Sequence, residues 1–329
     1  MVALDRVVRR DSLYYPRVTA QHGMTAEQAI DRIEAAGHPR PQDRRLHARG
    51  AVYEGRFLPS GRLADLTTAT HLTQPSNFVV RFSNGSPRFD ADDRTRGIRG
   101  MAVKFLDGEG NALHDLVAAN FRVFPSSTPE GFIELVEALA GTTEEGLSDK
   151  LAAGGKFAGF LFRHKESHAG IKAFLSRRAP ASFATTRFDG LHAFFFVDAD
   201  GKRRPFRYRL VPQLGEVELD SAPGAALPRD FLLPQLDGQL AQGPVSFTLV
   251  IQLGEAGAPT HDPSIAWPDH SPLLPAGEIR VERLSPESDS WERQVFDPTR
   301  VAPGVELSDD AVLAFRPGAY SVSAERRLS

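Results

Sequence analysis

The sequence predicts an α+β fold, an antiparallel β-barrel core decorated with α-helices. Three observations predict it. Five stretches rich in β-branched and aromatic residues read as strands: NFVVRFS (77–83), GMAVKFL (100–106), HAFFFVD (192–198), PFRYRLV (205–211) and VSFTLVIQL (245–253). Irregular segments separate them, without the regular strand–helix alternation of a parallel sheet. Between two of the runs, Asp200-Gly201 is the dipeptide of a tight hairpin.

Taken in order, the first element is a helix in MTAEQAIDRIEAAGHP (24–39). Thr25 and Gln28 form a capping box, Ile30 and Ile33 share a face, and Gly37 followed by Pro39 ends the helix. After the first two strands comes a second helix, in STPEGFIELVEALAG. Thr128 is its N-cap, Pro129 takes the first helical position, and Gly141 stops it. Phe132, Leu135, Val136 and Leu139 give its apolar stripe. Beyond about residue 255 the chain turns Pro-rich (APTHDPSIAWPDHSPLLPAG) and reads as an ordered wrap around the body. The expected organisation is a single domain over 1–329. It divides into an N-terminal arm and helix (1–43), barrel and helices (44–255), a wrapping segment (256–307) and a tyrosine-bearing end (308–329).

With 329 residues, 41% hydrophobic, the chain can bury a substantial core. Its 39 basic and 42 acidic residues are well mixed, so nothing steers it toward nucleic acid. Short basic clusters such as Arg9–Arg10 and Arg177–Arg178 read as solvated faces. The absence of cysteine removes disulfides, thiolate metal sites and iron–sulfur clusters, leaving His, carboxylate or Tyr for any metal chemistry. No apolar run reaches the length of a membrane span, and the N-terminus lacks a signal-like apolar region. The expectation is a cytoplasmic protein without membrane insertion, or a periplasmic one had a leader been removed.

Four segments carry residues suited to chemistry: RRLHARG (44–50), VRFSNGSPRFDADDRTRGIRGMAVKF (80–105), HDLVAANFRVF (114–124) and the end AFRPGAYSVSAERRLS (314–329). Singly each is weak. A histidine like His47 is more often a surface or hydrogen-bonded residue than a catalyst. Asn120 suits a turn or cap, and Ser83 merely ends a strand. Arg81, inside a strand beside Phe82, needs an anion if it faces inward and no explanation if it faces outward.

Together, in this order, the four segments resemble the haem catalase superfamily, and in particular its shortened branch of catalase-related peroxidases. The resemblance runs from about Arg44 to the C-terminus. It implies a catalase-like haem fold with haem b (heme b) as cofactor. On that resemblance RRLHARG makes His47 the distal histidine, a general acid/base toward peroxide. DLVAAN makes Asn120 the residue that orients peroxide, and VRFS makes Ser83 the partner of the imidazole. RPGAY makes Tyr320 the iron ligand. A phenol's unperturbed pKa is ~10; the iron's charge favours the anion, and Arg316 is placed to favour it further if the segment is helical. Arg44, Arg81 and Arg327 match positions that pair with haem propionates, a role suited to bidentate guanidinium recognition. Phe132 is a candidate to pack on the porphyrin, and core packing on its own helix competes for it. His114 and His192 read as structural.

The implied substrates are hydrogen peroxide or an organic hydroperoxide together with a small organic reductant, and the implied assembly is a homodimer. Pro317 and Gly318 disfavour a continuous helix through Arg316, so the tyrosine helix is expected to start at Pro317 with Arg316 as its N-cap. The chain stops nine residues after Tyr320, and Ala324 stands where some large catalases carry a histidine. Thinner cover over the haem implies weaker catalase activity and useful peroxidase activity. Two alternatives stay open. One is an isomerase of fatty-acid hydroperoxides resembling allene oxide synthase, against which stands Leu46, where those relatives carry threonine. The other is a non-catalytic haem-binding β-barrel.

Overall fold

The structure is a computed structural model that describes residues 23–140, 147–220 and 227–329. The expected arm over the first 22 residues, with Arg9–Arg10, lies outside the described residues. In chain order the elements are α1 (Ala26–Gly37), β1 (Gly50–Pro59), α2 (Thr70–Thr73), β2 (Ser76–Asn84), β3 (Arg99–Leu106) and β4 (Ala112–Ala119). The helices α3 (Pro129–Ala140), α4 (Leu147–Arg163) and α5 (Ser167–Leu175) follow, then β5 (Phe188–Gly190), β6 (Phe194–Val197) and β7 (Arg203–Pro212). The last third holds α6 (Leu232–Leu240), β8 (Val245–Leu253), β9 (Leu273–Leu284), α7 (Ser288–Glu292), β10 (Val305–Leu307) and α8 (Ala311–Leu328).

Eight strands close into an antiparallel barrel in the order β1-β2-β3-β4-β5-β7-β8-β9, with β9 returning to β1, while β6 and β10 extend the sheet from β7. Closure leaves these strands no free edge. Alternation then sorts the side chains. Phe78, Val80 and Phe82 of β2 enter the interior with Phe105, Phe188 and Phe247, all almost wholly buried. Arg81 and Ser83 point to the outer face, and that face is also covered, so β2 is buried on both sides from Phe78 to Asn84.

The expected strands are present with shifts of one or two residues at their ends, and VSFTLVIQL coincides with β8. Gly201 adopts φ +77° in the turn between β6 and β7. Thr25 and Gln28 form both bonds of the capping box, and Thr128 Oγ1 accepts from Gly131 N at 3.1 Å at the start of α3. One expectation is corrected. The 256–307 segment is not only a wrap, because β9 within it closes the barrel. Pro275 sits where the β8–β9 register shifts, beside Val250, and a proline is tolerated at such an irregularity. The rest of the segment is pinned inward by Lys104, which is fully buried against Asp115 at 2.8 and 2.9 Å and donates to the Val295 carbonyl at 3.0 Å. Among the described residues no helix is long and apolar enough to cross a membrane.

Candidate functional site

The site is assembled where one row of small residues crosses the barrel. Gly50, Ser83, Gly100 and Ala119 are register partners across β1, β2, β3 and β4. His47 lies over this row from the segment before β1. Its Nδ1 is 2.9 Å from Ser83 Oγ. A Cβ on Gly100 would lie 2.8 Å from both Cε1 and Nδ1 of the ring, so the strand must be bare there for the imidazole to rest on it. His47 is itself in the left-handed region at φ 58°, a conformation unusual for a residue with a side chain. Burial, reinforced by the charges of Arg81, Arg316, Arg44 and Arg99, holds its pKa down at about 3. The ring is therefore neutral at pH 7 and able to accept a proton.

Asn120 follows the end of β4. Its Oδ1 accepts from Arg99 N at 2.8 Å, and its Nδ2 donates to Gly97 O at 3.2 Å. An amide nitrogen carries two protons, so one donor remains. Arg99 fixes this corner from below. Its guanidinium is buried against the carbonyls of Asp93, Thr95 and Ile98.

The tyrosine-bearing element differs from expectation. The helix α8 begins at Ala311, with Asp310 as N-cap accepting from Val312 N and Leu313 N at 2.8 and 3.0 Å, and it runs through Pro317. Proline costs the helix one amide donor. Packing holds both halves regardless, because Leu313 and Pro317 are buried and Phe315, Ala319 and Val322 pack on the α1–α3 cluster. Arg316 thus lies one helical turn before Tyr320, and its Nε donates to the Tyr320 hydroxyl at 3.0 Å. Arg316 Nη1 meets His192 Nε2 at 2.8 Å, and His192 Nδ1 meets Asp310 Oδ2 at 2.6 Å. Since a guanidinium only donates, His192 Nε2 accepts and its proton sits on Nδ1, toward Asp310. Burial, against the pull of Asp310, lowers the His192 pKa and keeps the ring neutral.

The sequence singled out neither His192 nor Asp310 for this chain. The Asp310 N-cap before an apolar run was a readable signal; the His192 contact, 118 residues away, was not.

Three arginines converge at the end of this helix. Arg81 Nε donates to Glu292 Oε1 at 2.7 Å, Arg44 Nε is 3.6 Å from Glu292 Oε2, and Arg327 Nη2 donates to the Arg293 carbonyl at 2.8 Å. The Nε atoms of Arg44 and Arg327 are buried without a hydrogen-bond partner. Burial and the neighbouring charges of Arg81 and Arg327 lower the Arg44 pKa. The Arg327 pKa falls to about 10, chiefly through burial. Three guanidiniums around one carboxylate form a cationic site short of anions. Leu46, Phe132, Val136 and Phe315 pack, partly buried, on the cluster of Met24, Ala29, Ile30, Ile33 and Ile133. Phe132 also contacts Phe124, their ring centroids 5.0 Å apart.

Comparisons with known proteins show what the whole chain is similar to. The family model described as Catalase matches residues 17–329. A catalase-related peroxidase of Mycolicibacterium paratuberculosis is 38% identical over 311 residues, covering 93% of this chain and 95% of that protein. Another from Synechococcus elongatus is 30% identical, covering 94% and 90%. Catalase-2 of Bacillus subtilis is 28% identical over 88% of this chain and only 44% of its own length. Among solved structures, a bacterial catalase superposes with TM-score 0.78 at 21% identity, covering 99% of this chain and 70% of that one. A fungal catalase gives 0.77 at 23%, covering 96% and 67%. At such identities the superpositions speak for the fold alone.

Proposed function

Because the chain belongs to the catalase family and is an oxidoreductase that acts on peroxide, we propose that it is a haem-dependent hydroperoxidase working on hydrogen peroxide or small organic hydroperoxides, with an organic reductant closing the cycle. The observation that carries this reading is the chain Asp310–His192–Arg316–Tyr320, which aims a guanidinium at a phenol oxygen while the same charge reaches His47.

The residues fit haem b. The orphaned Nε atoms of Arg44 and Arg327, together with Arg81, suit the two propionates, and the partly buried Leu46, Phe132 and Phe315 suit an apolar macrocycle. Tyr320 would hold the iron, with Arg316 favouring the phenolate form through charge and hydrogen bond. When bound, the haem supplies the electrons that split the O–O bond.

The protein's own groups handle the protons. With Nδ1–H donated to Ser83 Oγ, the neutral His47 presents an unprotonated Nε2 that takes a proton from peroxide and returns it to the departing oxygen. The remaining Nδ2 proton of Asn120 orients the peroxide.

An absorption spectrum with stopped-flow kinetics tests the proposal. A ferric high-spin haem band is expected, with peroxide turnover raised by phenolic or aminic donors. His47→Ala should keep the haem and slow its reaction with peroxide by about 100-fold or more, within the 10²–10⁴ range of positioned acid–base groups. A purified protein that takes up no haem, or a His47→Ala variant reacting at the wild-type rate, overturns the reading.

A further inference from the structure

We propose that Glu292 is a positioning residue for His47, acting through Arg81; this rests on the reading that His47 moves the peroxide's protons. Glu292 ends α7, on the far side of Arg81 from the histidine. Its Oε1 accepts from Arg81 Nε at 2.7 Å, while Arg81 Nη2 donates to the His47 main-chain carbonyl at 3.1 Å. One guanidinium therefore bridges a carboxylate and the backbone of the proposed base.

That backbone needs holding. His47 stays at φ 58°, a left-handed conformation that a residue with a Cβ rarely adopts. Its N–H is tied to Gly85 O at 3.2 Å, and its carbonyl is tied to Arg81. The ring has no slack, since it already lies against Gly100 Cα. A small rotation of the His47 backbone would carry Nδ1 away from Ser83.

Arg81 does not stay in place by itself. It is 4% exposed and shares its surroundings with Arg44 and Arg327. Glu292 is the carboxylate that attracts all three. The nearby Arg45 is already paired with Glu34, and Arg293 is exposed. The guanidinium also lies over Gly50, where a Cβ would come within 2.5 Å of its Cζ. Glu292 holds it there from one side, and the bare backbone of Gly50 admits it from the other. Removing the carboxylate charge takes away the acceptor that fixes Arg81 Nε and loosens the guanidinium's hold on the His47 carbonyl.

The experiment compares Glu292→Gln and Glu292→Asp. In haem-free protein, the ¹⁵N signals of His47, assigned by comparison with His47→Ala, report the ring's surroundings. They should move in Glu292→Gln and return toward wild type in Glu292→Asp. In haem-loaded protein, Glu292→Gln should keep its haem within about twofold and slow reaction with peroxide about tenfold, with Glu292→Asp recovering most of the rate. Unmoved His47 signals, an unchanged rate, or a rate loss that follows haem loss in both variants overturns the proposal. Failure of the underlying reading looks different: the wild type would show no haem band, while the haem-free signals would still answer for Glu292.

Discussion

Arg316 has two acceptors and must satisfy both. Tyr320 accepts at Nε and His192 at Nη1, so the imidazole is confined to the tautomer whose proton faces Asp310. Asp310 serves twice, its Oδ1 capping α8 and its Oδ2 fixing His192. The two duties can be separated by substitution. Asp310→Ala loses both, and the cap alone is worth about 1 kcal/mol. Asp310→Asn keeps the cap but offers an amide donor to His192 Nδ1. The ring proton then moves to Nε2, where it faces the donor on Arg316. We expect Asp310→Asn to keep most of its thermal stability, yet to show a displaced Soret band and at least tenfold slower peroxide reaction. A wild-type spectrum in that variant would remove His192 and Asp310 from the proposed haem environment.

At the scale of elements, what was legible followed local pattern, and what was not depended on distant partners. VSFTLVIQL coincides with β8 because a run of β-branched and aromatic residues carries its own signal. The strand β1 (GAVYEGRFLP) begins with Gly50 and carries Gly55, and both are there for close approach rather than for strand propensity. A Cβ at Gly55 would sit 2.0 Å from the Arg280 carbonyl of β9. Pro317 read as a helix start because local cost favours that position, yet burial of Leu313 and Pro317 carries α8 through it. His47, Ser83, Asn120 and Tyr320 were singled out by the order of their motifs; Glu292 and His192 carry no motif of their own and emerge only from the packing, while Asp310 offered only its N-cap signal. The row Gly50–Ser83–Gly100–Ala119 gives a test at this scale. Gly100→Ala places a methyl 2.8 Å from the His47 ring and Ser83 Oγ. Overpacking of this kind costs about 1–3 kcal/mol. The barrel should still fold and the haem band persist, while the peroxide rate falls at least tenfold. Were that rate unchanged, the ring would not depend on resting against β3.

Over the whole molecule, the described residues include four buried or deeply placed histidines held neutral. Burial lowers His47 and His114 to about 3 and His71 to about 2, and it lowers His192 as well. His71 and His114 face each other with ring centroids 4.7 Å apart, remote in sequence from the tyrosine helix, and neither nitrogen of His71 has a hydrogen-bond partner. In the unfolded chain each histidine titrates near 6.5. Between that value and about 3 the unfolded chain therefore binds protons that the fold refuses, and stability must fall as pH falls through this window. Above about 6.5 both states are neutral at these positions, and the four add no pH dependence. His47, His71 and His114 each contribute up to about 1.4 kcal/mol per pH unit within the window, and His192 acts in the same direction. Urea unfolding in haem-free protein should be nearly flat from pH 8 to 7 and weaken progressively below 6.5. His71→Phe removes one of the protons taken up, so it should flatten the slope near pH 5 by about 1.4 kcal/mol per unit, whatever its effect at pH 8. An unchanged slope in that variant would mean that His71 is already charged in the fold, or that its ring reaches water there, and the barrel's histidine pair would then have to be rebuilt around a solvated site.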